Sequence, residues 1–185
     1  MSEHARAVIQ AHHEHGVLTA VKHFPGHGSA AADSHRGFVD VSATWSQAEL
    51  DPYRALIHDG VVDMVMTAHV FNRHLDPEWP ATLSPSTITG LLRQQLGFAG
   101  VVVTDDMQMG AIAEHYSLET ALHQAIVAGA DIITFANNNP RTYEPDIAPK
   151  AITIIAALVE DGTISEARID ESVKRIQALK QRLSR

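Results

Sequence analysis

Apolar positions along the chain fall into two kinds of segment. Short, nearly unbroken apolar runs occupy Val17–Phe24, Val61–Ala68, Val101–Thr104 and Asp131–Phe135, and each predicts a buried strand. Between them lie longer mixed stretches that read as helices. Residues 3–15 form the first, with Gly16 as its stop. Ser46 followed by Glu49 has capping-box spacing and predicts a helix to about His58, before an Asp59-Gly60 turn. After a loop carrying Pro77, Pro80 and Pro85, Ser84 or Ser86 starts a helix through Leu96, and Gly97–Gly100 turns the chain. Residues 117–128 predict a helix ended by Gly129, and two more close the chain near 147–160 and 166–183, the last capped by Ser165. Residues 25–45 read as one long polar loop, a length that in a compact domain points to function.

The resulting order is one helix and then four β–α units. Strands apolar on both faces belong to parallel sheets covered by helices, so the expected class is α/β, with residues 1–185 as a single domain. Four parallel β/α units are half of the eight that close a (β/α)8 barrel. No internal repeat or low-complexity linker interrupts the series.

Composition narrows the function. The 185 residues are 45% hydrophobic, enough for one sizeable core. A net charge of −8 without a Lys/Arg cluster argues against a nucleic-acid surface and gives no attraction to anionic membranes. Cysteine is absent, which removes disulfides, thiolate metal sites and thiol nucleophiles. No apolar stretch resembles a signal peptide or approaches the ~18 residues of a membrane helix, so a soluble, cytoplasmic protein is expected. Of the twelve histidines, His4, His12, His13 and His15 sit in the polar first helix and read as solvated.

The remaining unusual polar residues gather where strands end: Lys22 and His23, then Asp33 and His35 on the first loop, His69 after the second strand, Asp105 and Asp106 after the third, Asn137 to Asn139 after the fourth. One such residue is readily a cap or a turn. Four consecutive C-terminal strand ends so furnished point to a site. Adjacent strand residues face opposite sides, so only one of Asp105 and Asp106 can face a pocket; Asp105 is taken as the carboxylate that acts as nucleophile, Asp106 as structural. Asp33-Ser34-His35 is either a plain turn or a general acid/base, an imidazole oriented by its carboxylate neighbour. Lys22 and His23 read as donors to ligand hydroxyls or carbonyls. A rival set, His23, His27, His35 and His69 with Asp105, would suit zinc or iron, but Lys22 beside it would repel a cation and no His-Glu-x-x-His helix is present. Met64, Met66, Met107 and Met109 read as core and pocket-wall residues.

Lys22-His23-Phe24-Pro25-Gly26-His27-Gly28, Asp33-Ser34-His35, Ala68-His69-Val70 and Leu96-Gly97-Phe98-x-Gly100-Val101-Val102-x-Thr104-Asp105-Asp106 together form a series that resembles glycoside hydrolase family 3, in its bacterial β-N-acetylglucosaminidase (β-hexosaminidase) branch. Arg168-Ile169-Asp170-Glu171-Ser172-Val173-x-Arg175-Ile176 is similar to the end of that family's barrel domain. The resemblance implies a retaining hydrolase of terminal β-linked N-acetylglucosamine in cell-wall recycling, with muropeptide fragments among its substrates. By motif position Asp105 would be the nucleophile and His35, held by Asp33, the general acid/base in place of the usual second carboxylate. Lys22, His23, His69 and Met107 would contact the sugar, and no metal or other cofactor is implied. Only the second half of the family's barrel is represented. Half a barrel leaves two strand edges and an apolar interior open, so completion by a homodimer, or by a partner chain carrying the first half, is expected; an open sheet that flattens is the remaining arrangement. Two other functions stay open at this point: a non-catalytic sugar-binding half-barrel, and a metal-dependent hydrolase using the histidines.

Overall fold

The computed structural model describes residues 1–30, 37–137 and 143–184. Helix α1 (Ser2–His13) precedes strand β1 (Ala20–Phe24); β2 (Val39–Asp40), α2 (Asp51–His58), β3 (Met64–Thr67) and β4 (Val70–Phe71) follow. A ten-residue helix, Ser86–Gln95, then leads to β5 (Val101–Asp106), α3 (Gly110–Ala113), α4 (Leu118–Ala128), β6 (Ile132–Thr134), α5 (Ile147–Glu160) and α6 (Glu166–Gln181). Four strands form one parallel sheet in the order β1-β3-β5-β6. The α/β class and the parallel sheet are those expected from the apolar runs. All four strands therefore end on the same side, which gathers Lys22, His23, Asp105 and Asp106 into one region.

The helices cover one face of this sheet. Phe24, Val65 and Val102 pack there against Leu50 and Tyr53, against Ile88, Leu91 and Leu92 of the Ser86–Gln95 helix, and against Ala121 and Ala125 of α4. On the opposite face of β3, Met64 and Met66 are only half-buried, as are all three residues of β6. The outer edges of β1 and β6 have no strand partner among the described residues.

Several local expectations change. The first strand begins at Ala20, not Val17, because the Val17 amide is still held by the His12 carbonyl at 2.9 Å and the chain has just turned through Gly16 at φ +69°. The long polar loop holds a strand: β2 pairs with β4 in a second parallel sheet, closing a small core of Val39, Val41, Ala68, Val70 and Ala81. Two-residue strands are too short to carry a periodic signal. The Ser46 side chain makes no cap bond; the segment starts as a 3₁₀ turn over Gln47–Leu50, and Glu49 is turned away to accept from Ser29 Oγ at 2.6 Å. At the next helix Ser84, not Ser86, is the capping side chain, accepting from the Thr87 amide at 2.9 Å. That helix is π-wound and closes with the Leu96 amide on the Leu91 carbonyl at 3.0 Å. Ser165 caps α6 as expected, accepting from the Arg168 amide at 3.3 Å.

Opposite the motif-bearing strand ends, two buried aspartates tie the fold together. Asp131, at the start of β6, accepts from Arg93, Arg175, Ser172 and the Val102 amide, all between 2.7 and 3.0 Å. Asp63, before β3, accepts from His13 Nε2 at 2.7 Å and from the Thr19 amide at 2.7 Å, and pairs with Arg182 at 2.7 Å.

Candidate active site

The first strand delivers Lys22 and His23 to the sheet's C-terminal side, and the turn after it is held from beneath. Pro25 leads into Gly26, whose φ of +128° is a conformation that side-chain-bearing residues rarely adopt. A Cβ on Gly26 would also lie 2.7 Å from Glu49 Cβ, so a glycine is needed on both counts. Trp45 Nε1 donates to the Pro25 carbonyl at 3.1 Å. With the Ser29–Glu49 bond, this clamps the His23–Gly28 turn against the start of α2. Glu49 and Trp45 are supporting residues that the sequence reading did not single out; the Ser46/Glu49 spacing was a signal, but of a loop anchor instead of a cap.

Asp105, near the end of β5, faces His23. Its Oδ2 lies 3.5 Å from His23 Nε2, with both side chains about three-quarters buried. Its Oδ1 accepts the Asp106 amide N–H at 2.8 Å. The two carboxylate oxygens therefore have different surroundings: one is occupied by backbone, the other faces an imidazole. His27 stands edge-on to His23, with ring centres 6.0 Å apart.

Asp106 is occupied in holding the loop, the part expected of it. Its Oδ1 accepts from the Gln108 amide and from the Ala136 amide, both at 3.0 Å, tying the end of β5 to the segment after β6. Asn137 extends this brace. It sits at φ +48°, takes a bond from its amide to Gln108 Oε1 at 2.8 Å, and holds both the amide and the carbonyl of Glu144 at 2.9 and 3.0 Å. Asparagine tolerates that backbone better than most side chains. Asn138 and Asn139 lie outside the described residues.

His69 and Met107, expected against the sugar, are inside the protein. Met107 is 3% exposed and belongs to the main core. His69 is 1% exposed, with Nε2 2.9 Å from the Asp106 carbonyl and Nδ1 2.9 Å from Thr82 Oγ1. Burial pulls its pKa below the ordinary histidine range; the bond to the Asp106 carbonyl and the carboxylates of Asp105 and Asp106 oppose this without reversing it. Lys22 is exposed at the strand end. Asp33 and His35 lie outside the described residues. Among the described residues no three His, Asp or Glu side chains come together in a way that could hold a metal ion.

A carboxylate with one oxygen pinned by an amide and the other facing an imidazole can attack an electrophilic carbon or hold a developing cation. The comparisons with known proteins bear on which. Residues 1–179 match the family model described as the glycosyl hydrolase family 3 N-terminal domain. A β-hexosaminidase of Vibrio cholerae is 38% identical over 143 residues, covering 77% of this chain and 43% of its own length. A secreted glycosyl hydrolase of Arthroderma benhamiae, itself uncharacterized, is 36% identical over 174 residues, covering 91% of this chain and 48% of its own. Among solved structures, a family 3 β-N-acetylglucosaminidase from a Paenibacillus strain matches with a TM-score of 0.85 and 42% identity, over 95% of this chain and 33% of that one. The chain spans less than half the length of each of these relatives.

Proposed function

The chain belongs to glycosyl hydrolase family 3, and from that premise we propose that it acts as a retaining glycoside hydrolase releasing terminal β-linked N-acetylglucosamine, including from cell-wall fragments inside the cell. The observation that carries this reading is the asymmetric Asp105 carboxylate, Oδ1 held by the Asp106 amide at 2.8 Å and Oδ2 turned to His23. Asp105 Oδ2 attacks the anomeric carbon while His35, protonated and oriented by Asp33, donates its proton to the departing glycosidic oxygen. A glycosyl ester forms on Asp105. Water, deprotonated by His35, then displaces the carboxylate and releases the sugar with net retention. Lys22 and His23 donate to sugar hydroxyls beside the nucleophile.

The four-stranded sheet is, on this reading, half of an eight-stranded barrel. Its open edges at β1 and β6 and the half-buried Met64 and Met66 support that reading, since such a surface needs four further β/α units to cover it. A second copy of the chain supplies them, or a segment carrying the other half.

Release of nitrophenol from an aryl N-acetyl-β-glucosaminide by the purified chain tests the activity. Turnover is expected, reduced roughly 10⁴-fold or more in Asp105→Ala. Undiminished turnover in the variant would remove Asp105 as nucleophile. Sugar binding without turnover in the unaltered chain would favour a binding half-barrel.

A further inference from the structure

Strand β3 leaves the sheet before β5 does. The ladder with β5 pairs Met66 with Val103, and β3 ends at Thr67, with its pairing to β1 completed by the Ala68 amide on the Phe24 carbonyl at 2.7 Å, while β5 continues to Asp106. The Asp106 carbonyl thus runs beyond the last β3 residue of the ladder; the Met109 amide of the following turn donates to it at 3.1 Å, which leaves its second lone pair for another donor. The ring of His69 supplies one, Nε2 to the carbonyl oxygen at 2.9 Å.

The proton positions follow from the partners. A carbonyl only accepts, so Nε2 carries hydrogen. Burial keeps the ring neutral, so Nδ1 bears a lone pair and accepts from Thr82 Oγ1 at 2.9 Å. The Thr82 hydroxyl also donates to the Ala68 carbonyl at 2.9 Å, so its single proton is shared between that oxygen and Nδ1. Thr67 Oγ1, 2.8 Å away, then donates to Thr82. Thr67, Thr82 and His69 thus form a buried hydrogen-bonded cluster that ends on the Asp106 carbonyl and also reaches the Ala68 carbonyl.

The other side of the same peptide is also tied, the Met107 amide donating to the Thr134 carbonyl at 2.9 Å. The peptide after Asp106 is therefore strung between the end of β3 and β6, and this fixes the backbone of Asp106. That residue's own N–H is the group that pins Asp105 Oδ1.

We propose that His69 is a positioning residue for Asp105: its imidazole, the second donor to the Asp106 carbonyl beside the Met109 amide, ties that carbonyl to the end of β3, fixes the Asp106 backbone, and so keeps Asp105 Oδ1 occupied and Oδ2 free to react. The proposal rests on the reading of Asp105 as nucleophile for its consequence in catalysis, but the bond itself is tested without activity. Nitrogen-detected NMR of the imidazoles in the unaltered chain should show one ring in the neutral Nε2–H form that does not titrate between pH 5 and 8, and that signal should vanish in His69→Gln. A ring that titrates, or carries its proton on Nδ1, would overturn the proposal.

Amide hydrogen exchange gives the second test. In His69→Leu the Asp106 amide should exchange at least ~10-fold faster while the Val65 and Val102 amides keep their protection; His69→Gln, which retains a donor, should restore most of it. Unchanged Asp106 protection in the leucine variant would overturn the proposal. Where the unaltered chain turns over substrate, kcat should fall by about 10- to 100-fold in His69→Leu with KM within about threefold, since a misaimed nucleophile costs rate more than binding. A rise in KM at constant kcat would instead place His69 among the sugar contacts and reject the positioning role. Absence of turnover in the unaltered chain would count against the glycosidase reading alone, and the two NMR results would still decide the role of His69.

Discussion

Arg93 and Asp131, 38 residues apart in sequence, meet at 2.7 Å through Nη2 and Oδ2, at the opposite end of the sheet from the proposed site. The aspartate side chain has no exposed surface, and the arginine's is 12% exposed. Burial lowers the pKa of both Arg93 and Arg168, and the Asp131 carboxylate is the largest influence holding each charged. Ser172 and Arg175 reach the same carboxylate from α6, while the Val102 amide reaches it from β5.

Replacing Asp131 by alanine removes the carboxylate from three partly buried arginines, Arg93, Arg168 and Arg175, and frees α6 from the sheet. A loss of about 3–5 kcal/mol in unfolding free energy is expected, the range for breaking one side of a buried ion pair. Urea denaturation followed by circular dichroism measures it. A loss below about 1 kcal/mol would show the knot to be dispensable.

Tyr53 is 7% exposed and stands edge-on to Phe24 at 5.1 Å. Burial, and then the nearby negative Glu49, raises its phenol above the ordinary value of 10.0. Above that pH the unfolded chain releases a proton that the folded chain keeps, so stability falls as pH rises. Tyr53→Phe should flatten that fall, giving urea midpoints that change less between pH 9 and 11. Parallel curves for the two proteins would refute the assignment.

The open sheet edges make a prediction about mass. One chain is 20.1 kDa, and light scattering of the purified protein should give twice that if two copies close the barrel. A monomeric mass would rule out self-closure and leave a separate segment as the partner.

The large sheet was legible because its strands are consecutive apolar residues with polar groups just beyond them, as at Val101–Thr104 followed by Asp105. What escaped was set by contacts distant in sequence. Val39–Asp40 becomes a strand only because Val70–Phe71 lies beside it. Glu49 had the spacing of a cap but is drawn to Ser29, 20 residues earlier. His69 stands at a strand end, as a sugar contact would, yet its ring turns inward to Thr82, 13 residues later, and to the Asp106 carbonyl, 37 residues later. The Asp131 knot had a faint signature: Arg168, Ser172 and Arg175 share one helical face, but the acidic residue they serve lies just before β6. The Asp33–His35 pair, central to the proposed chemistry, lies outside the described residues.

The Val102 amide is bound by Asp131 at one end of β5, and Asp105 follows three residues later, about 10 Å along the strand. Anchor and proposed nucleophile thus share a single short lever. The loops above the sheet can diversify, and substrate preference with them, without loosening the arginine knot below. Mutations that slacken the knot, though far from the proposed site, would reach Asp105 through that strand.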